Sequence, residues 1–202
     1  MLLDAIAELL AAAGESQIRL AGRKGRSGEA RNEAEMGPAS MNESSLILVG
    51  IGGHGAAGKT TLARTVPGAV IVSTDEFWTG AGFALDRVKT DVLDPLRQGK
   101  AASYESWNWA TKTSNGTRTI AAAAVVIIEG VCALHEMLRD AYDLKVWVET
   151  PREVCLTRAI ERDGESERHQ WINVWMPNED AYIERDQPVQ CADLVLSGLT
   201  SS

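Results

Sequence analysis

"ILVGIGGHGAAGKTTLAR", residues 47–64, decides how this chain is read. An apolar run falls into glycines, then into a lysine and two threonines, and continues in helical register. Gly53-His54-Gly55-Ala56-Ala57-Gly58-Lys59-Thr60 fits the pattern G-x-x-x-x-G-K-[ST]. The stretch before it, "LILVGI" (46–51), is continuously apolar, as a parallel strand covered on both faces requires. A helix is expected after it, over about 58–66. Each part of the loop has its own physical task. Glycines let main-chain N–H groups turn inward and approach phosphate oxygens closely. The helix N-terminus adds its dipole. Lys59 offers a compact cation to the outer phosphates, and the Thr60 hydroxyl can ligate a Mg²⁺ that bridges them. Gly53 to Thr61, including Thr61 itself, is therefore the expected nucleotide-binding segment, with ATP and Mg²⁺ as the expected cofactors.

Outward from the loop, apolar runs alternate with helix-like segments. "AVIVS" (69–73), "AVVIIEG" (124–130), "LKVWVET" (144–150) and "ADLVLSG" (192–198) read as strands. Helices are expected over about 86–98, 133–140, 151–163 and 168–186. Such alternation predicts an α/β protein with a mainly parallel sheet of about five strands; with the phosphate-loop motif after its first strand, a three-layer P-loop NTPase fold is expected. Ligands of such sheets bind at the carboxyl ends of the strands. Asp75 directly follows the second strand and Glu129 ends the third, so both carboxylates project from the edge that carries Lys59 and Thr60. A carboxylate there can complete a Mg²⁺ shell or accept a proton from an attacking hydroxyl. The purely structural alternatives are an N-cap for Asp75 and a helix-dipole partner for Glu129. Glu76 is expected to point elsewhere.

Composition bounds the remaining choices. The chain has 202 residues, 45% of them hydrophobic, enough for one domain with a real core. A net charge of −8 argues against a nucleic-acid binder but not against a small anionic ligand. Cys132, Cys155 and Cys191 form no C-x-x-C pair and suggest neither zinc nor a disulfide framework. Reduced thiols in a cytoplasmic protein are expected. No apolar run approaches the roughly 20 residues of a membrane span. "MLLDAIAELLAAAG" (1–14) is amphipathic and helix-prone but lacks the basic start of a signal peptide. Residues 22–45 are charged and rich in Gly and Ser, a linker composition. The division is therefore 1–44, an N-terminal helix and linker, and 45–202, the nucleotide-binding domain. Met41, just ahead of the first strand, is a candidate initiator residue.

The order of landmarks resembles the uridine kinase-like group of P-loop kinases, which also holds phosphoribulokinase, pantothenate kinase and nicotinamide riboside kinase. The landmarks are "GIGGHGAAGKTTLA", "STDEFW", "LDPLRQGK", "SYESWNW", "VVIIEG", "YDLKVWVET", "RAIERD" and "ADLVLSG", covering about residues 46 to 198. The resemblance implies that Asp75 is the catalytic base and that Glu129 helps hold Mg²⁺. It also implies a short lid over 155–171, in which Arg158 and Arg162, four apart on one helix face, neutralise charge on the transferring phosphoryl group. This lid departs from the family: it is shorter, and "ESERHQ" stands where the relatives have "ERGR". On the acceptor side, the loop aromatics Trp78, Phe83, Tyr104, Trp107 and Trp109 could stack on a base, Asp86 could bind ribose hydroxyls, and Asn108 stands where the family often has Asp. The alternative is that these aromatics pack the substrate-side subdomain. Trp171 and Trp175, at i,i+4, are expected in the core.

The expected partner is a small-molecule acceptor, a nucleoside, with a homo-oligomer one option and neither nucleic acid nor membrane involved. Two other readings stand beside a nucleoside kinase. A GTPase-type switch would need N-K-x-D and D-x-x-G, and neither is present. A nucleotide-binding ATPase or regulatory module without phosphotransfer remains open, as does a kinase for a vitamin precursor or a sugar.

Overall fold

The computed structural model describes residues 2–13, 46–121 and 123–199. The chain runs α1 (Leu2–Ala13), β1 (Ile47–Gly53), α2 (Lys59–Ala63), β2 (Val70–Ser73), a helical run α3 over 85–97, β3 (Ala102–Asn108), β4 (Thr113–Ile120) and β5 (Val125–Glu129). It continues through α4 (Glu136–Arg139), β6 (Leu144–Glu149), α5 (Arg152–Asp163), a second helical run α6 over 168–186, α7 (Pro188–Cys191) and β7 (Leu194–Ser197). Both long runs contain a π-wound turn, Val88–Leu93 in α3 and Trp171–Trp175 in α6.

Five strands form a parallel sheet in the order β2-β5-β1-β6-β7, with β1 at its centre. The expected fold class is the one observed. Alternate residues of each strand feed two separate cores, one on each face. Leu48, Val126, Ile128 and Trp147 enter one, and Ile47, Val49, Ile51, Ile127 and Val146 the other. That double coverage is why the strands read as unbroken apolar runs. Each fully buried Leu, Ile or Val contributes on the order of 1.5–3 kcal/mol, so β1 anchors the loop that follows it.

The sheet edge is fixed by register. Ile51 and Ser73 both lie opposite Glu129, so the three carboxyl ends of β1, β2 and β5 finish together. The loop after β1, the turn after β2 and the end of β5 are thereby brought to one place.

The antiparallel hairpin β3–β4 has no counterpart among the strands read from the sequence. Its register slips at a bulge between Glu105 and Trp107. The N-terminal helix is present over Leu2–Ala13, and Ile6 is buried in the core that β1 and α2 share. The linker read over 22–45, with Met41 and the division at residue 44, lies outside the described residues.

Candidate active site

The phosphate loop is held from within. Ala57 N donates to the His54 carbonyl at 3.1 Å, and Lys59 Nζ donates to the same carbonyl at 2.7 Å. From outside, the Thr150 hydroxyl donates to the Ala57 carbonyl at 2.9 Å. Gly58 enters α2 at φ 104°, left-handed backbone that a side chain would strain. Gly55, Ala56, Gly58, Lys59, Thr60 and Thr61 line one cavity of about 1430 Å³. Gly53, His54 and Ala57, expected in the same cradle, are set back from its wall and support the loop.

The carboxylates meet the loop where expected. Thr60 Oγ1 donates to Glu129 Oε1 at 3.2 Å, and Glu129 is only 4% exposed. Burial pushes the Glu129 carboxyl above the usual carboxylate range, with Lys59 pulling it down and Asp75 pushing it further up. Asp75 sits on the 3₁₀ turn Thr74–Phe77, which Ser73 caps by accepting from the Asp75 N–H at 3.3 Å. The Asp75 residue is open to the cavity yet recessed among protein atoms. Desolvation raises its carboxyl pKa, against the pull of Lys59 and Arg162, and water in the open cavity moderates that shift. A cap role for Asp75 is excluded, because Ser73 already occupies the N-cap.

Arg158 and Arg162 both line the cavity from α5. Arg158 Nη1 donates to the Gly198 carbonyl at 2.9 Å. Arg162 forks on to Asp163, at 2.7 and 2.8 Å, and its guanidinium stands 5.8 Å from the Trp171 ring centre. Trp171 Nε1 donates to the same Asp163 at 3.0 Å.

The acceptor-side expectations divide. Trp78 lines the cavity, stacking edge-on with Phe83 at 5.0 Å and lying tilted 5.4 Å from Trp109. Asp86, Tyr104, Trp107 and Asn108 are not on the wall. Tyr104 is 2% exposed, stacks on Phe77 at 4.6 Å and donates to Glu76 Oε2 at 2.8 Å. Asn108 Oδ1 accepts from Ala110 and Thr111 N–H groups, at 2.9 and 3.2 Å, and so ties the hairpin turn. Asp86 is exposed on the first turn of α3, and Trp107 belongs to β3 at the bulge.

Phe83 and Trp109, expected on the acceptor side, line the wall beside Trp78, and so do residues expected elsewhere. Trp109, on the hairpin turn, donates Nε1–H to the Asp75 carbonyl at 3.1 Å. Trp171 and Trp175 were expected in the core: Trp171 is buried in a cluster with Ala159 and Met176 against which Trp175 packs, and both also line the cavity. Trp175 meets Trp78 and Trp109 edge-on at 5.6 and 6.0 Å. Gln170 stands beside them on α6. A polar residue next to the i,i+4 tryptophans was the available signal.

With this geometry in place, comparison with known proteins is specific. The model of the phosphoribulokinase/uridine kinase family matches residues 82–201. The chain belongs to that family. Among its relatives, the uridine kinase of Ureaplasma urealyticum serovar 10 is 27% identical, covering 71% of this chain and 85% of that one. The uridine kinase of Shewanella frigidimarina is 26% identical, covering 61% and 71%. The uridine kinase of Saccharomyces cerevisiae is also 26% identical, covering 77% of this chain but only 37% of the yeast protein. In solved structures the fold recurs in a possible uridine kinase from Bacillus stearothermophilus, with TM-score 0.58, 17% identity and coverage of 78% and 91%. A putative fructose transport system kinase from Silicibacter sp. TM1040 gives TM-score 0.53 at 17% identity, covering 78% and 92%.

Proposed function

We propose that this protein is an ATP-dependent small-molecule kinase that transfers the γ-phosphoryl group of ATP to a hydroxyl of a nucleoside. The observation that carries the reading is the meeting of Lys59, Thr60, Glu129 and Asp75 in one cavity walled by tryptophans. Relatives named uridine kinase support the acceptor class.

Phosphoryl transfer asks mainly for positioning and charge neutralisation. Loop N–H groups and Lys59 would hold the β- and γ-phosphates. Arg158 and Arg162 reach the cavity from α5 and would balance charge on the moving phosphoryl group. The acceptor hydroxyl oxygen attacks phosphorus, the bond to the β-phosphate oxygen breaks, and ADP leaves. Asp75 takes the hydroxyl proton. Its raised pKa brings it closer to the working pH than an ordinary carboxylate, which suits a general base.

Thr60 and Glu129 would hold Mg²⁺. The donors fit, since a hydroxyl and a carboxylate oxygen 3.2 Å apart are hard ligands beside a phosphate cradle. When bound, the ion supplies charge neutralisation on the phosphates. Among the described residues no helix is long and apolar enough to cross a membrane. The three free cysteines are in keeping with a cytoplasmic setting.

The test is ADP release with Mg·ATP across uridine, cytidine, other nucleosides, nicotinamide riboside, pantothenate and simple sugars, with a control lacking acceptor. Stimulation by a pyrimidine nucleoside is expected. Stimulation only by a vitamin precursor or sugar would move the acceptor class. Equal release with and without acceptor would replace the kinase by a nucleotide-binding ATPase.

A further inference from the structure

Glu179 is a buried carboxylate that the reaction above does not use. It is 8% exposed and forms part of the cavity wall. Both of its oxygens are committed to the phosphate loop. Oε1 accepts from the Gly55 N–H at 3.1 Å, and Oε2 lies 3.2 Å from His54 Nδ1. The approach is close: a Cβ on Gly55 would come within 2.7 Å of both Glu179 Oε1 and the Trp171 ring. The loop carries a glycine where α6 presses on it.

The surroundings make a carboxylate an expensive choice there. The neighbouring cluster joins Trp171 and Met176 of α6 to Ala56 of the loop, all apolar. For stability alone, an apolar side chain in such a cluster would serve as well or better than a desolvated charge. What the carboxylate adds is a directed bond to one main-chain N–H of the phosphate loop. The helix that makes this bond also carries Trp171 and Trp175. Trp175 touches Trp78 and Trp109, and Trp109 is bonded to the Asp75 carbonyl. A continuous line of contacts thus runs from the phosphate loop, through α6, to the turn that bears the base.

We infer that Glu179 is a positioning residue: it fastens the His54–Gly55 turn of the phosphate loop to α6, so that the nucleotide cradle and the acceptor-side tryptophans are set together. The acceptor half of this inference rests on the kinase reading; the nucleotide half does not.

The test uses the full chain and ADP as probe, by titration calorimetry, with melting temperatures alongside. Glu179→Ala is expected to weaken ADP binding about tenfold, the worth of one buried hydrogen bond to a charged group. In saturating ATP it should also raise the KM for the best acceptor more than it lowers kcat. Glu179→Gln keeps an oxygen for the Gly55 N–H and should stay within about threefold of wild type for ADP. Glu179→Asp keeps the charge but is one methylene short, and should bind ADP more weakly than the Gln variant.

A lower melting temperature with unchanged ADP affinity would overturn the inference and leave a structural role. Tighter ADP binding in Glu179→Ala would also overturn it, since the carboxylate would then compete with phosphate. Should the Ala variant fail to fold, the order of Gln and Asp decides, and Asp binding ADP better than Gln refutes the bond. If wild type phosphorylates no acceptor of the panel, the kinase reading fails while the ADP result still decides the role of Glu179.

Discussion

Asp75 and Glu76 are adjacent in the chain and face opposite ways. Asp75 opens on to the cavity. Glu76 turns back into the protein, where Oε1 accepts from Arg118 Nη1 at 2.6 Å and from the Ser73 N–H at 3.3 Å, and Oε2 accepts from the Tyr104 hydroxyl at 2.8 Å. Arg118 also donates to the Ile71 carbonyl at 2.7 Å. The second carboxylate thereby pins the hairpin β3–β4 to the turn that presents the first.

Asp75→Asn keeps the size and turn geometry of the site but cannot take a proton. Transfer is expected to fall by about 10²–10⁴, the usual contribution of a general base, while ADP affinity changes little. Steady-state kinetics beside calorimetry checks both halves. Retained full activity removes Asp75 as the base.

Lys59→Ala should weaken nucleotide binding and turnover together. The lysine is 7% exposed and its Nζ is already held by the loop's own His54 carbonyl, so its charge is placed before a nucleotide arrives. ADP affinity and kcat are the readouts, and an unchanged affinity would contradict the role.

Tyr104→Phe deletes the hydroxyl and leaves one oxygen of Glu76 without its donor. A loss of about 1–2 kcal/mol is expected, seen as a lower Tm or denaturation midpoint. The KM for ATP should not move, because Tyr104 is away from the cavity wall.

Trp109→Ala and Trp175→Ala should raise the acceptor KM several-fold and leave ADP affinity near wild type. Both rings stand on the cavity wall away from the phosphate loop, and stacked aromatic contacts are worth about 0.5–1.5 kcal/mol beyond burial. An equal loss of ADP affinity would mean that the tryptophans hold the nucleotide instead.

The pH dependence of stability tests Glu129. Its pKa is raised in the folded state, so the native protein holds this proton more tightly than the unfolded chain does. Its contribution to stability is therefore present below the ordinary carboxylate pKa and is lost as pH rises through the raised one. Glu129→Gln removes that loss. The Tm difference, variant minus wild type, should grow in the variant's favour between pH 4.5 and 8, and a difference that shrinks would reverse the sign of the argument.

The parallel sheet and the edge that carries the phosphate loop were legible because their signals are local. A strand buried on both faces reads as an apolar run, and the phosphate loop is eight residues with a fixed pattern. The hairpin was not legible, for identifiable reasons. Its bulge breaks the alternation of Ala102, Tyr104 and Ser106 just before Trp107. Asn115-Gly116, the pair that usually marks a hairpin turn, falls within β4, while the chain turns over 109–112 with Lys112 at φ 54°. Trp171 and Trp175 have a spacing that suits a core face and a cavity face equally, and the π-wound turn between them alters which way the helix looks. Glu179 has no local signature at all, because its partner Gly55 is 124 positions away.

The central place of β1 has a consequence for how this protein comes into being. Its hydrogen-bonded neighbours are β5 and β6, and the nearer of them begins at Val125. During synthesis this apolar strand leaves the ribosome long before either partner exists. The phosphate loop cannot take shape on it until most of the chain has followed. In the meantime "LILVGI" is an unpaired, sticky segment of the kind that chaperones recognise, and pauses in translation before residue 150 should cost more soluble protein than pauses after it.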